Sequence, residues 1–227
     1  MCGRYTLGNF DWVDPAFSSD LSNVADLVKR PRYNIAPGQL ILALTRGAGG
    51  ATVAESMHWG IETPWRGGPP QLINARAEKL AESRFWKPLL THGRCAIPAD
   101  GFYEWRKAEN GGRKQPYWFA RVGGEGFAFA GLWRAAKSED DQLYSRCCAI
   151  VTVAPNELVA GVHDRMPAMI APEHAGQWLD GDLDEALALL EPFASAAMTA
   201  RAVGQEVGNS RAEGLRLIAP ADEQASA

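Results

Sequence analysis

Seven short runs rich in β-branched or aromatic residues constrain this chain more than any other feature. They are Leu40 to Thr45, Thr52 to Trp59, Arg94 to Pro98, Gly101 to Arg106, Pro116 to Arg121, Phe127 to Trp133 and Arg146 to Val153, each bounded by Gly, Pro or Asn. Such residues suit a pleated, half-buried surface, and the bounding residues punctuate it. Helical patterns are fewer. Asp14 and Pro15 offer an N-cap and a proline for the first helical position, and Phe17, Leu21, Val24, Leu27 and Val28 extend the pattern to about Lys29. Further helices are expected at Glu78 to Leu90, Pro172 to Leu179 and Leu183 to Leu190. This balance excludes alternating βαβ units and predicts an α+β fold with a β-rich, barrel-like or sandwich core and a few peripheral helices. A chain of 227 residues can bury its core without disulfides or metals, as one domain over 1–220 followed by a flexible C-terminal tail at 221–227.

The 46% of hydrophobic and 22% of charged residues are ordinary globular values and exclude collagen-like, coiled-coil and wholly disordered chains. The cysteines, at 2, 95, 147 and 148, form no CxxC pair, which suits neither a zinc knuckle nor a disulfide framework. No metal or other cofactor is expected. No run approaches the 18 or so apolar residues of a membrane span, and the start has no apolar signal region, so a cytoplasmic protein is expected. The net charge of -4 argues against a protein that coats polyanions indiscriminately. The charge is uneven, however. Residues 1–170 hold 20 basic against 17 acidic residues, whereas 171–227 hold 3 against 10. Six of those acids fall between Glu173 and Glu191, in segments read as surface helices away from the chemistry-bearing motifs. A protein that engages a few phosphates remains compatible with this balance.

Four segments carry residues suited to chemistry. Cys2 precedes Gly3; if Met1 is removed, as happens when the next residue is small, the chain begins with a 1,2-aminothiol. Its amine, with an ordinary pKa of about 8, can condense with an aldehyde, and its thiol can then close a thiazolidine ring. The alternative is an incidental small residue. In Leu72 to Glu78, an apolar strand sets Asn74 and Arg76 on one face, suited to a phosphate or a sugar hydroxyl, or to capping and ion pairing. In Ala99 to Trp105, Glu104 alternates with Tyr103 and Trp105. It is either exposed and idle or set in a partly buried site where its raised pKa lets it move protons; Asp100-Gly101 reads as a turn. His163, followed by Asp164 and Arg165, is either a general acid-base or a structural imidazole.

Together these motifs closely resemble the SOS-response-associated peptidase family, abasic-site processing proteins that crosslink to DNA through an N-terminal cysteine. The likeness rests on Met1 to Tyr5, Tyr33 to Pro37, Trp59-Gly60 with Pro64-Trp65, Ile73 to Glu78, Ser83 to Phe85, Pro98 to Trp105, Thr152, His163 to Pro167 and Val207 to Asn209, in the family's order and across nearly the whole chain. The resemblance implies a DNA-damage-response sensor of abasic sites in single-stranded DNA that traps the opened-sugar aldehyde as a thiazolidine. Cys2 would be the nucleophile after autocatalytic or aminopeptidase removal of Met1, and Asn74 would hold the cysteine or the sugar. Glu104 would shuttle protons, and His163 would assist sugar-ring opening. Arg4, Arg76 and Arg84 would bind phosphates, Pro37 and Trp65 would separate stacked bases, and Thr152 completes the expected DNA-contacting set. Lyase and peptidase activities, a monomer, and association with the nucleoid in a bacterium are further implications. Two rivals remain: an N-terminal-nucleophile amidohydrolase such as a class II glutamine amidotransferase, whose later signatures are missing here, and a noncatalytic single-strand-binding module with an incidental Cys2.

Overall fold

The computed structural model describes residues 2–17, 19–47, 49–62, 71–108, 111–136 and 146–221. Its strands in chain order are β1 Tyr5–Leu7, β2 Arg32–Ile35, β3 Leu40–Arg46, β4 Thr52–Trp59, β5 Ile61–Glu62, β6 Gln71–Leu72, β7 Asn74–Arg76 and β8 Arg94–Ala99. They continue as β9 Gly101–Arg106, β10 Gln115–Arg121, β11 Phe127–Ala135, β12 Arg146–Val153, β13 Met166–Pro167, β14 Met169–Ile170 and β15 Met198–Ala202. The helices are α1 Val13–Phe17, α2 Trp86–His92, α3 Glu157–Ala160, α4 Ala175–Asp180 and α5 Leu183–Ala188. No helix among the described residues is long and apolar enough to cross a membrane.

Five of the seven expected strands close into a barrel. Strand β3 pairs antiparallel with β4, β4 runs parallel to β12, β12 pairs with β11, β11 with β8, and β8 returns to β3 at Leu44 opposite Ala96. Closure leaves this ring no unpaired edge. Strand β7 adds alongside β12 in parallel, with Asn74 opposite Ile150 and Arg76 opposite Thr152. The other two expected strands, β9 and β10, join a second, antiparallel sheet ordered β15-β10-β9-β1-β2.

Aromatic rings join the sheets. Tyr5 of β1 lies edge-on to Trp59 of β4 at 5.4 Å and to Phe129 of β11 at 5.5 Å. Phe102 of β9 stacks on Phe119 at 5.1 Å and meets Phe129 at 6.4 Å. All five side chains are fully enclosed, each contributing about 1.5–3 kcal/mol by burial alone. Gly101 sits where a Cβ would stand 2.3 Å from the Trp118 ring nitrogen. Gly101→Ala is therefore expected to lower stability in urea denaturation by about 1–3 kcal/mol, through overpacking against an aromatic that cannot move aside.

Two helical expectations are corrected. The helix begun at Val13 ends at Phe17 instead of reaching Lys29. Asp20 accepts hydrogen bonds from the backbone N–H and hydroxyl of Ser22, a local turn that competes with helix, and only a 3-10 turn, Ser22–Val24, follows. The expected helix from Glu78 to Leu90 is a 3-10 turn, Ala77–Lys79, and then α2. The Ser83 hydroxyl separates them by accepting the N–H groups of Phe85 and Trp86, both at 3.2 Å. The acidic helix α5 forms where expected, with Asp182 and Glu185 closing a capping box. Of the expected tail, residues 222–227 lie outside the described residues.

Candidate active site

The seam between barrel and second sheet brings the N-terminus to Glu104. Strand β1 pairs with β9 through Tyr5 opposite Phe102 and Thr6 opposite Gly101, and the Tyr103 N–H donates to the Arg4 carbonyl at 3.0 Å. Continued, this register sets Gly3 opposite Glu104, with Cys2 one residue further. Asp100 locks the pairing. Its carboxylate accepts from the Thr6 hydroxyl, the Gly8 N–H and, at 3.1 Å, the Asn9 N–H, so a residue read only as a turn former also clamps the N-terminal strand. From the barrel side, Asn74 on β7 donates through Nδ2 to the Cys2 carbonyl at 2.9 Å. Its Oδ1 is buried and has no hydrogen-bond partner, which leaves an acceptor available beside the cysteine.

His163 arrives from the end of α3. The Asn156 side chain caps that helix by accepting the Val159 N–H at 2.9 Å, and the His163 N–H bonds the Val159 carbonyl at 2.9 Å. Its Nε2 lies 3.8 Å from a Glu104 oxygen, while Nδ1 accepts the Arg165 backbone N–H at 3.1 Å and lies 3.0 Å from Asp164. Burial lowers the imidazole pKa. Nδ1 lies between a backbone donor and the Asp164 carboxylate, while Nε2 is the ring nitrogen that faces Glu104.

Glu104 is 2% exposed. Burial pushes its carboxyl from an ordinary 4.5 up to about 7, Asp164 adding to the rise and the positive amino terminus opposing it. Of the two environments left open by the sequence, the buried one is the one that forms. Cys2 is fully enclosed in the chain that still carries Met1, and burial, followed by the charge of Glu104, pushes its thiol pKa up. The sulfur donates weakly to the Arg4 carbonyl at 3.9 Å. Cys2, Asn74, Glu104 and His163 thus meet, the cysteine beside a buried carboxyl and an imidazole. Among the described residues no group of three His, Cys, Asp or Glu could hold a metal.

The expected DNA-contacting residues fall into different settings. Arg76 and Arg84 are exposed, and Pro37 is half-exposed after β2. Arg4 is half-buried. Its Nη1 donates to the Val207 carbonyl at 2.6 Å and reaches Asn34 Oδ1 at 3.4 Å, so that nitrogen is engaged within the protein. Asn34 in turn donates to the Asn209 carbonyl at 2.9 Å, which explains the late Val207 to Asn209 segment as a strap across the N-terminal strands. Thr152 is fully buried. It accepts from Arg165, whose guanidinium also bonds both oxygens of Glu78 at 2.9 Å. Trp65 and Met1 lie outside the described residues.

The sequence reading missed this Arg165 to Glu78 pairing, whose members are 87 positions apart; the proximity of Arg165 to His163 was its only signal. The acidic stretch is also closer to the motifs than expected. Leu187, Leu190 and Glu191 line a cavity of about 380 Å³ with Ala77, Glu78 and Arg165, because α5 packs back toward the end of the barrel.

Fold and site together define a barrel protein that sets Cys2, next to the first residue, beside a buried carboxyl and an imidazole. The family model described as SOS response associated peptidase matches residues 1–210, and the chain belongs to that family. It is 34% identical over 226 residues to the abasic site processing protein YoqW of Bacillus subtilis (strain 168), covering 96% of this chain and 99% of that protein. It is also 34% identical over 234 residues to the abasic site processing protein YedK of Escherichia coli (strain K12), covering 97% and 100%. A crystal structure of a Bacteroides thetaiotaomicron protein matches with a TM-score of 0.82 over 96% of this chain and 99% of that one, a likeness of fold alone at 20% identity. A phage-related protein of Bordetella bronchiseptica matches with a TM-score of 0.68 at 32% identity, covering 90% and 95%.

Proposed function

We propose that this chain processes abasic sites in single-stranded DNA by forming a thiazolidine between mature Cys2 and the C1′ aldehyde of the opened deoxyribose, which shields the site. The observation that carries this reading is the meeting of Cys2, held through its carbonyl by Asn74, with a buried carboxyl whose pKa is about 7. The names of the relatives YoqW and YedK support it.

The protons balance. With Met1 attached, the Cys2 nitrogen is an amide and cannot form an imine; its removal, by the chain itself or by an aminopeptidase, creates the ammonium. Glu104 takes a proton from that ammonium, a transfer between groups of about 7 and about 8 that is nearly thermoneutral. As C1′ opens to the aldehyde the proton of its hydroxyl is transferred to the ring oxygen, His163 giving one proton to that oxygen and recovering one from the hydroxyl so that the imidazole ends neutral, and the amine attacks. Protonated Glu104 then protonates the carbinolamine hydroxyl, which leaves as water. Finally the Cys2 thiol gives its proton to Glu104 as sulfur adds to the iminium carbon. The sum is aminothiol plus aldehyde giving thiazolidine plus water. An open imine at C1′ would acidify C2′ and favour loss of the 3′ phosphate, so sulfur addition suppresses strand cleavage. Arg76 and Arg84 supply sequence-independent attraction for phosphates, with Arg4 assisting through its remaining nitrogens. Pro37 and Trp65 would part the flanking bases.

A denaturing gel tests this reading. Single-stranded DNA with one abasic site is expected to give a heat-stable shifted band with the wild-type chain and none with Cys2→Ala. A band that survives Cys2→Ala would favour a noncatalytic binding module joined by another group.

A further inference from the structure

The hairpin that carries Glu104 continues past the site into a groove that none of the roles above uses. Two cavities adjoin there. One, of about 400 Å³, is lined by Trp105, Arg106, Lys107, Lys114, His163 and Asp164 among others. The second, of about 710 Å³, shares Arg106 and Lys107 and adds Arg113, Gln115 and Gly161. Four cations therefore rim a trough that opens at His163. Asp164, at the His163 end, is the one carboxylate among the described lining residues.

This concentration of charge opposes local stability. Strand β10 pairs with β9 through Gln115 opposite Arg106, a register that sets Lys107 opposite Lys114 when continued. Like charges directly opposite one another destabilise a hairpin. Arg106, Lys107, Arg113 and Lys114 are all exposed, and hydrogen bonds tie the arm beneath them: Gln115 donates to the Val203 carbonyl at 2.9 Å, and Gln205 donates to the Lys114 carbonyl at 3.1 Å. The Arg106 guanidinium sits 4.9 Å from the Tyr117 ring centre, which orients its planar fork. Half-buried Trp105 gives the wall an aromatic surface suited to stacking. A repelling row of cations beside an aromatic matches a chain of phosphates carrying unpaired bases.

We propose that this groove is a second phosphate track, which binds the backbone of single-stranded DNA on the flank of the lesion opposite Arg76. Arg76 leaves the seam from β7 on the barrel side, and the groove leaves it from β9 on the second sheet, so a strand crossing Cys2 meets cations before and after the abasic sugar. The assignment of the flanks rests on the reading of the site given above.

Binding of undamaged single-stranded DNA by the full chain across a salt series tests the track without involving Cys2 chemistry. The variant Lys107→Glu/Arg113→Glu/Lys114→Glu is expected to bind at least about tenfold more weakly at low salt. The slope of log affinity against log salt should fall by about 2, at about 0.7 per lost phosphate contact on a single strand. The neutral variant Lys107→Gln/Arg113→Gln/Lys114→Gln, checked for an intact thermal transition, should show the same loss of slope, which separates lost contacts from misfolding. An unchanged slope in the neutral variant would overturn the track, even if the wild-type chain crosslinks abasic DNA. A reduced slope together with no crosslink in the wild type would instead leave the track standing and overturn the thiazolidine reading.

Discussion

Glu104→Gln is expected to slow crosslinking to abasic DNA by about 10²-fold or more, the scale of a lost general acid-base. The wild-type rate should bend near pH 7, where the Glu104 carboxyl titrates, and that bend should vanish in the variant. Stability should move the other way. A carboxyl raised from 4.5 to about 7 binds its proton more tightly in the folded chain than in the unfolded one. Its contribution is therefore fully present below about pH 4.5 and is lost as pH rises through 7. Above pH 7 the folded wild type holds a charge that burial penalises, and Gln removes it. Denaturant melts should find the variant more stable at pH 8 by on the order of 1–3 kcal/mol, with no advantage at pH 4.5. Equal stability at both pH values would mean that Glu104 is ionised without cost, which would deprive it of a proton-donor role near neutrality.

The second large effect concerns the terminus. A chain bearing a noncleavable extension ahead of Met1 is expected to reduce the adduct to background while Asn74, Glu104 and His163 stay intact. The loss follows from covalent chemistry: an amide nitrogen has no lone pair basic enough to attack an aldehyde, and Cys2 in the unprocessed chain has no exposed surface. The comparison to make is an extension that a protease can remove to expose Cys2. Cleavage should restore crosslinking to the wild-type rate. An adduct formed equally well before cleavage would assign the reaction to another nucleophile.

Much of the architecture was legible because β-branched and aromatic runs between Gly and Pro announce themselves locally. Thr52–Trp59, Gly101–Arg106 and Arg146–Val153 coincide with the expected limits. Closure of the barrel was not legible, since it depends on β8 returning to β3 and on β4 lying parallel to β12, pairings between distant segments. Strand β1 escaped notice because three residues show no periodicity; the side chain of Asp100 and the rings facing Tyr5 define it. The overlong helices failed where Asp20 and Ser83 bonded the backbone locally, a competition that apolar spacing does not reveal.

Residue types alone left Cys2, Asn74, Glu104 and His163 each open between a chemical and a structural role, and the family resemblance was what grouped them into one site. Neither showed that Glu104 is enclosed, that Arg4 turns toward Val207, or that Thr152 lies behind Arg165. Each of those depends on which strand becomes whose neighbour. The acidic C-terminal quarter misled in the same way. Its composition suggested a remote surface, yet Asp180 pairs with Arg46 at the barrel and Glu191 shares a cavity with Arg165.

The most direct measurement is mass analysis of the N-terminal peptide after reaction with abasic single-stranded DNA, nuclease trimming and treatment with a thiol-alkylating reagent. The thiazolidine account predicts a peptide that begins at Cys2, is heavier by the sugar fragment less one water, and resists alkylation because its sulfur is in the ring. A peptide that retains Met1, or one that carries the sugar yet still alkylates at Cys2, would contradict it.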